Sequence, residues 1–459
     1  MEPLPRWIAR QQVRAVAGML MSISPVGIVK TRPGFGQTVR PRRGAIVASP
    51  VPAAYDPDPD YFFHWYRDSA VVMDALRLLF DEGSVGPEAL VHLADFVRFS
   101  RSLQSLDGRA LVAAPAWRDA VAADFTQYLR SDADLATVHG EAVAADTRVN
   151  PDGTLDITRW TRPQHDGPPL RALALLRWLR DAKVQPFLED GVRGEIAALV
   201  RSDLEFTRSH WRRPSFDIWE EETGLHYYTL RMAGAALDQG AAWLDTLGDA
   251  RQAQALRAVV REIMVTLDGY WLSEQGHYRS RILADGTRSA KELDIAVILA
   301  AIHADGDAVP PGAGTAHGAR DPRMHATLAR LEAVFDAEYP INQRRSAAMG
   351  PAMGRYAGDV YYSGGAYYFS TLGAAEFCFR AARNADGAQD WFDRGDAFLE
   401  TVRAYTPLSG DLSEQFDRST GAQTSARHLA WSYAAFVSCT AARRAACDPA
   451  GGGVICTGP

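Results

Sequence analysis

Two glutamates in polar segments are candidates for acid–base chemistry. Glu220 lies within residues 216–224, where a tryptophan precedes three consecutive acids. Glu414 lies within residues 412–417, ahead of a predicted helix that contains Trp431. One protonated and one ionised carboxyl group can donate a proton to a reacting atom and accept one from it in the same reaction. The two glutamates therefore predict an acid–base pair.

Each glutamate also has a purely structural interpretation. The acids at 220–222 are typical of the first turn of a helix, where they complement the helix dipole. Glu414, taken alone, is also typical of a solvated loop residue. The neighbouring like charges and the indole of Trp219 favour a raised pKa in one acid of the first group, which a general acid requires. The neighbouring loops must therefore decide between the two interpretations.

Three other loops combine aromatic and charged side chains. Residues 61–68 hold five aromatic residues followed by Arg67 and Asp68, and residues 160–168 and 354–359 have the same character. Aromatic faces stack on sugar rings, and an Arg beside a carboxylate can bind sugar hydroxyls in bidentate fashion. The alternative for the first loop is a buried aromatic cluster closed by an ion pair. Three such loops together favour a sugar ligand.

These loops separate segments with helical periodicity. The 3.6-residue apolar spacing predicts helices in Ala-rich runs at 171–180, 191–206, 250–267 and 390–405. Segments rich in Gly, Pro, Asp, Trp and Tyr lie near 55–68, 150–169, 213–226, 273–292, 350–366 and 409–425. Their recurrence at roughly 70 residues corresponds to two helices with their connections. The pattern predicts an all-α (α/α) six-hairpin toroid, with six inner and six outer helices and long catalytic loops on one rim.

The domain prediction is a single catalytic toroid over residues 1–444 and a Gly- and Cys-containing tail over 445–459. Residues 306–320 have the composition of a surface loop. Cys378 and Cys439 lie in apolar helical runs and are predicted to be buried thiols. Cys447 and Cys456 bracket the Gly-rich tail, and a disulfide between them would close a small loop in an oxidising compartment. The sequence does not decide whether this disulfide forms.

The bulk composition argues against several classes of binding partner. A net charge of −7 and a pI near 5.9 provide no basic field for a nucleic acid. No apolar run is long enough for a membrane span. No heptad pattern implies a partner protein, and neither a phosphate-binding motif nor a metal-ligand spacing implies a cofactor or a metal.

The N-terminus holds Arg6, Arg10 and Arg14 before an apolar stretch, as a signal peptide does. An amphipathic helix is the favoured interpretation, with Val13 and Val16 on its apolar face together with Leu20 and Ile23. Localisation is left open: cytoplasmic if the chain is complete, periplasmic or secreted if a leader has been removed.

The ordered set of segments resembles the glucoamylase family of inverting α-glucosidases over residues 48 to about 444. The strongest matches are 60–61 with 65–69, 217–221, and 413–417 with 425–427 and 431–434. This resemblance implies the same six-hairpin toroid. It also implies an inverting pair with Glu220 as general acid and Glu414 as general base, whose carboxyl groups are about 6.5–9.5 Å apart in such enzymes.

The resemblance also implies substrate-binding residues. Arg67, Asp68 and Arg355 would bind hydroxyls of the terminal glucose, and Tyr61, Trp65 and Trp431 would shape its pocket. Glu221, Trp160 and Trp219 would line the pocket and the entrance where the leaving sugar lies, and Arg162 belongs to the same binding set. No metal or organic cofactor is implied.

Three segments differ from the family's usual pattern. One is 363–367, which reads Ser-Gly-Gly-Ala-Tyr where the family has Asn-Gly-Asn-Pro-Trp. Fungal-type members read Tyr-Thr-Trp-Thr-Arg-Asp where this chain has Phe63, His64, Trp65 and Tyr66 before its Arg-Asp pair, and His64 is predicted to be a structural or rim residue. The family's Gln-Arg-Asp-Gly-Pro is present with a histidine in second place, at 164–168. All three changes fall near the sites expected for the leaving group and concern linkage and chain-length preference.

The predicted function is an exo-acting inverting hydrolase that releases β-glucose from the non-reducing ends of maltooligosaccharides or soluble starch. The alternatives within the family are an α-1,6-preferring isomaltose or dextran glucohydrolase and a trehalase. A phosphorylase is disfavoured because it needs no base carboxylate such as Glu414. An inactive sugar-binding protein is the non-enzyme alternative, and it would be expected to lack Glu220 or Glu414.

Overall fold

Helices dominate the computed structural model, which describes residues 2–54, 58–305, 316–383 and 387–447. The strands are short, so the predicted all-α class is confirmed. The α-helices of the described residues are α1 (Leu4–Leu20), α2 (Tyr66–Asp81), α3 (Glu88–Leu103), α4 (Gly108–Ala113), α5 (Asp132–Thr137), α6 (Gly167–Arg180), α7 (Asp190–His210), α8 (Tyr227–Thr246), α9 (Ala250–Asp268), α10 (Ala296–Asp305), α11 (Pro322–Glu338), α12 (Pro340–Gln343), α13 (Tyr368–Ala382), α14 (Ala388–Tyr405) and α15 (Ala430–Ala446).

The strands lie in the connections between helices. They are β1 (Lys30–Arg32), β2 (Gln37–Val39), β3 (His64–Trp65), β4 (Arg148–Val149), β5 (Ser215–Phe216), β6 (Thr223–His226), β7 (Trp271–Leu272), β8 (His277–Tyr278), β9 (Arg281–Leu283), β10 (Ala366–Tyr367), β11 (Gln415–Phe416) and β12 (Gln423–Thr424). Strand β3 pairs antiparallel with β4, and β11 pairs antiparallel with both β10 and β12. Strands β3 and β10 each end where the next helix begins, so these pairs fix the chain at the start of α2 and α13.

The chain divides into two compact units, which we name after their glutamates. The Glu220 unit comprises residues 20–223 and 236–257. In it α2 packs on α6, and α7 packs on both α6 and α3. Helices α2 and α6 are buried along most of their length, whereas α3 and α7 bury one apolar stripe each. This alternation of enclosed and half-exposed helices is what a stack of helical hairpins requires.

The Glu414 unit comprises residues 1–19, 224–235 and 258–459. Its centre is α13, which is buried on nearly every side and packs against α10, α14 and α15. Helix α14 buries one stripe that includes Phe392, Phe398 and Val402. The ring of Phe392 lies 5.3 Å from that of Phe379 on α13. The prediction of one domain over 1–444 stays a prediction.

Helix α1 confirms the predicted N-terminal helix but corrects its buried face. Val13 is 68% exposed, whereas Trp7, Ile8 and Gln11 are buried. The ring of Trp7 packs edge-on against Phe436 at 5.7 Å. Gln11 belongs to the buried face because its amide donates a hydrogen bond of 2.8 Å to the Gly410 carbonyl. A contact so distant in sequence outweighs the local apolar pattern.

The structure also bears on the predictions for the cysteines, the loop at 306–320 and membrane-spanning helices. Cys378 and Cys439 are buried free thiols, as predicted. Cys456 lies outside the described residues, so its pairing with Cys447 stays a prediction, as does the loop at 306–320, of which 306–315 are not described. Across the described ranges, no helix combines the length and apolarity needed to cross a membrane.

Candidate active site

Glu220 lies in a tight turn between β5 and β6. The turn is closed by Asp217, whose Oδ1 accepts the backbone N–H groups of Glu221 at 2.7 Å and Glu222 at 3.2 Å. Glu220 itself adopts a left-handed backbone with φ of 67°. The interpretation of these acids as the first turn of a helix is wrong, because β6 follows them and α8 begins only at Tyr227.

Three donors hold the Glu220 carboxylate. The indole N–H of Trp65 donates to Oε1 at 2.8 Å, and Arg67 Nη2 donates to the same oxygen at 3.2 Å. The indole N–H of Trp160 donates to Oε2. The carboxylate is therefore oriented from both oxygens by side chains of two other loops. All three donors belong to the predicted substrate-binding set.

Arg67 is surrounded by carboxyl groups. Its guanidinium lies 3.3 Å from Asp68, 3.6 Å from Asp166 and 3.2 Å from Glu220, and it donates to Gln164 Oε1 at 3.2 Å. Burial raises the pKa of Asp166 to about 6, with Arg67 opposing the rise and Glu220 adding to it. Burial likewise raises the pKa of Asp68. Burial therefore favours the protonated form of these two aspartates.

Aromatic rings flank the Glu220 carboxylate. The ring of Trp65 lies 5.2 Å from Tyr61 and 6.2 Å from Trp160, edge-on in both cases. The guanidinium of Arg148 lies 3.7 Å from the Trp160 ring and 4.8 Å from the Trp65 ring. Asp156 fixes Arg148 through a 2.9 Å ion pair. The indoles are thus positioned by a cation that sequence reasoning missed, since β4 has no local motif to signal it.

Arg162 does not contact Glu220 in this arrangement. Its guanidinium is buried and pairs with Asp146 through Nε and with Asp156 through Nη2 at 2.9 Å. Trp219 and Glu221 lie half-buried in the turn that carries Glu220. Substrate binding by Arg162, Trp219 and Glu221 stays a prediction.

His64 is a structural residue. It is fully buried, and its Nδ1 accepts the backbone N–H of Ile46 at 3.0 Å. Its ring packs edge-on against Phe99 at 5.0 Å. Burial, reinforced by the charge of Arg171, lowers the pKa of His64 to about 3, so the ring is neutral at ordinary pH. The departure from the family pattern at this position serves packing behind β3.

Glu414 immediately precedes β11 and is 8% exposed. Its backbone N–H donates to the Ala426 carbonyl at 2.7 Å, and its carbonyl accepts the N–H of Tyr368 at 3.2 Å. The Ser425 hydroxyl donates to Glu414 Oε2. Ser425 is a non-glycine residue in the left-handed region, with φ of 64°, which turns its side chain back toward β11. The Glu414 carboxylate is therefore a fixed acceptor, as a general base needs to be.

A buried ion pair lies in the same unit as Glu414. Arg355 binds Asp359 through two parallel hydrogen bonds of 2.7 and 2.6 Å. Its guanidinium lies 5.4 Å from the ring of Tyr367, whose hydroxyl accepts the Gln415 amide at 2.9 Å. Burial raises the pKa of Tyr367, and Arg355 and Glu414 also act on it electrostatically. Tyr367 thereby connects the predicted Arg355 with the segment that carries Glu414.

Trp431 lies in the first turn of α15 and is buried. Its ring stacks on Phe369 with centroids 4.4 Å apart and planes 8° from parallel. The next residue, Ser432, donates to the Ser413 carbonyl at 2.8 Å. Helix α15 therefore fixes the backbone of the segment that carries Glu414.

Sequence reasoning placed Tyr61, Trp65, Arg67, Asp68 and Trp160 together with Glu220, and the structure does the same. It missed Asp166, Gln164 and Ser425 as individual residues, although all three lie within segments that the family resemblance covers. It missed Arg148 because no motif marks it. No group of three His, Cys, Asp or Glu side chains in the described part of the chain could hold a metal ion.

A sequence model of one protein family matches most of the chain. The model of glycosyl hydrolases family 15 matches residues 145–392 and 393–441, more than half of the chain. The chain belongs to glycosyl hydrolases family 15. The predicted resemblance to the glucoamylase family and the predicted class, glycoside hydrolase, are confirmed by this membership.

Relatives of known sequence agree. The chain is similar to the glucoamylase of Neurospora crassa, with 30% identity over 88% of this chain and 64% of the relative, so it spans less than two thirds of that protein. It is also similar to a probable glucoamylase of Schizosaccharomyces pombe, with 26% identity over 96% of this chain and 92% of the relative.

Solved structures confirm the fold class. The family 15 glucoamylase from Hypocrea jecorina matches 96% of this chain and 72% of its own, with a TM-score of 0.75 and 26% identity. The glucoamylase from Saccharomycopsis fibuligera matches 96% of both chains with a TM-score of 0.76 at 20% identity, which shows the fold alone. The predicted (α/α) six-hairpin toroid is the fold class of these glucoamylases.

Proposed function

We propose that this family 15 enzyme is an exo-acting inverting α-glucoside hydrolase. It releases β-glucose from the non-reducing ends of maltooligosaccharides or soluble starch. The observation that carries the proposal is that two loop glutamates each have a carboxylate oriented by fixed donors. Glu220 is held by two indoles and Arg67, and Glu414 is held by the Ser425 hydroxyl.

The two glutamates have opposite tasks in the proposed reaction. Glu220 donates a proton to the glycosidic oxygen as the bond between that oxygen and the anomeric carbon breaks. Glu414 accepts a proton from a water molecule whose oxygen forms the new bond to the anomeric carbon from the opposite face. The configuration inverts, and an α-linked substrate gives β-glucose. The assignment of Glu220 as the acid rests on the family resemblance of residues 217–221.

The terminal glucose is recognised by groups around these carboxylates. The rings of Tyr61, Trp65 and Trp160 provide apolar faces, and charged groups at Arg67 and Asp68 bind hydroxyls with charge-assisted hydrogen bonds. The names of the relatives also favour α-1,4-linked glucan as the substrate class.

The linkage is tested with substrates that differ only there. Maltose, isomaltose and trehalose are each mixed with the enzyme, and proton NMR follows which anomer of glucose appears first. Initial β-glucose from maltose at the highest kcat/KM supports the proposal. A preference for isomaltose or trehalose would replace the substrate but keep the mechanism, whereas initial α-glucose would refute inversion.

Matched variants separate an enzyme from a binding protein. Glu220→Gln and Glu414→Gln are compared with Glu222→Gln, which removes an acid from the same turn as Glu220. The first two variants should lower the rate of glucose release by about 10²–10⁴-fold, and the third should retain it. Absence of glucose release by the unmodified chain on all three disaccharides and on maltooligosaccharides would favour a sugar-binding protein.

A further inference from the structure

The Glu220 unit contains a cavity that the proposed reaction does not use. Its volume is about 160 Å³, several times the roughly 30 Å³ share of one water molecule in the liquid. Helices α3, α6 and α7 and the first residue of α2 line it. Buried side chains, including Tyr66, Ser100 and Arg171, form the floor, and exposed residues such as Gln104 and Ser202 form the mouth.

Three polar atoms on the cavity floor have no hydrogen-bond partner within the protein. They are the Tyr66 hydroxyl, the Ser100 hydroxyl and Arg171 Nη1, and each belongs to a side chain at least nine-tenths buried. A buried polar group without a partner costs about 1–3 kcal/mol in a typical protein, so three in one cavity call for a ligand that satisfies them. Other lining residues, among them Leu103 and Phe206, are apolar.

The charges around the cavity restrict the class of ligand. The Arg171 guanidinium is already neutralised by two hydrogen bonds to Asp203, of 2.9 and 2.7 Å. Two further carboxylates, Glu141 and Glu205, line the mouth. An anion therefore gains little there, and a metal ion finds hydroxyls and a guanidinium in place of carboxylates on the floor. Neutral hydroxyl groups accept from all three floor donors.

We propose that this cavity binds a small neutral polyhydroxyl compound, between glycerol and a monosaccharide in size. Its hydroxyl oxygens accept from Arg171 Nη1 and exchange hydrogen bonds with Tyr66 and Ser100, while its carbon skeleton lies against Leu103 and Phe206. The site is distinct from the Glu220 cluster, because Tyr66 lines the cavity whereas the next residue, Arg67, contacts Glu220. The inference does not depend on the proposed function.

The test uses glucose and glycerol as probes and reads the cavity locally. Methyl groups of Leu103 and Val143, which both line the cavity, are observed by NMR in Leu- and Val-labelled protein. We expect saturable shifts of both residues with a millimolar dissociation constant for glucose, as is ordinary for a ligand of twelve heavy atoms. Binding of glucose at the catalytic glutamates leaves these two signals unaffected.

Three variants decide the outcome. Tyr66→Phe removes one unpartnered hydroxyl and should weaken binding about 5-fold, the effect of one ordinary hydrogen bond. Ala144→Phe fills the cavity and should abolish the shifts. Ser102→Ala, on the same helix as Ser100 but bonded to the Phe99 carbonyl, should bind as the unmodified protein does.

The proposal is overturned if neither probe shifts Leu103 and Val143 up to about 100 mM, a concentration well above a millimolar dissociation constant. It is equally overturned if Tyr66→Phe and Ala144→Phe leave the affinity unchanged. Loss of catalysis with intact shifts would instead count against the proposed function alone.

Discussion

Replacing Asp166 by Asn tests the electrostatics of the carboxyl cluster around Arg67. Asp166 is 1% exposed, and neither of its carboxyl oxygens has a hydrogen-bond partner within the protein. Burial raises its pKa from 3.8 to about 6. Because the folded state binds this proton more tightly than the unfolded chain, the stability contribution is complete below pH 4 and is lost as the pH rises through about 6.

The magnitude follows from the shift in pKa. Roughly two pKa units correspond to a free energy on the order of 3 kcal/mol that the ionised carboxylate costs above pH 7. Asn has nearly the same shape and never ionises, so Asp166→Asn should remove this cost. We expect the variant to be more stable than the unmodified protein above pH 7, with a difference that vanishes near pH 4.

Urea unfolding at a series of pH values between 4 and 8 measures this difference. The matched control is Asp119→Asn, which removes a carboxylate from an exposed position and should change the free energy of unfolding little at any pH. An Asp166→Asn variant that is no more stable at pH 7.5, or whose advantage is the same at every pH, would refute the assignment of a raised pKa.

Three further predictions concern other residues. Glu220→Gln and Glu414→Gln should each lower kcat by about 10²–10⁴-fold with an unchanged near-ultraviolet circular dichroism spectrum. Near-normal turnover in either variant would refute the role proposed for that glutamate. Ser425→Ala removes the hydroxyl donor to Glu414 and should lower kcat about 10-fold with little change in KM; a change in KM alone would point to substrate binding instead. Arg162→Met removes the cation shared by Asp146 and Asp156, which keep their ion pairs with Arg130 and Arg148. The variant should therefore lose about 1.5–3 kcal/mol in urea unfolding, as for a hydrogen bond between charged groups, whereas a neutral effect would show that the Arg162 ion pairs contribute no net stability.

The helices were predictable because their signals are local. Helix α7 shows an apolar stripe at 3.6-residue spacing within a single stretch of sequence, and the predicted 191–206 lies inside the observed Asp190–His210. Glu220 and Glu414 lie in segments whose residue types suit their chemistry. Local composition alone left the role of both glutamates ambiguous, and the proposed roles come from the ordered set of segments that resemble the family.

Residues defined by distant partners were not predictable. The buried face of α1 depends on Gln11 reaching the Gly410 carbonyl, and nothing near Gln11 in the sequence indicates that contact. Arg148 and Arg162 look alike as isolated cations, yet Arg148 lies over the indoles of the site whereas Arg162 is bound by two aspartates. Tertiary packing determines which partner each of these side chains contacts.

Glu220 and Ser425 share a backbone geometry that affects attempts to evolve this enzyme. Each is a non-glycine residue at positive φ, a conformation that costs on the order of 1–3 kcal/mol. Gly at either position would relieve that cost while deleting a group of the proposed reaction. A library selected only for heat resistance should therefore enrich inactive clones at these two positions, and every round of such a selection needs a turnover screen.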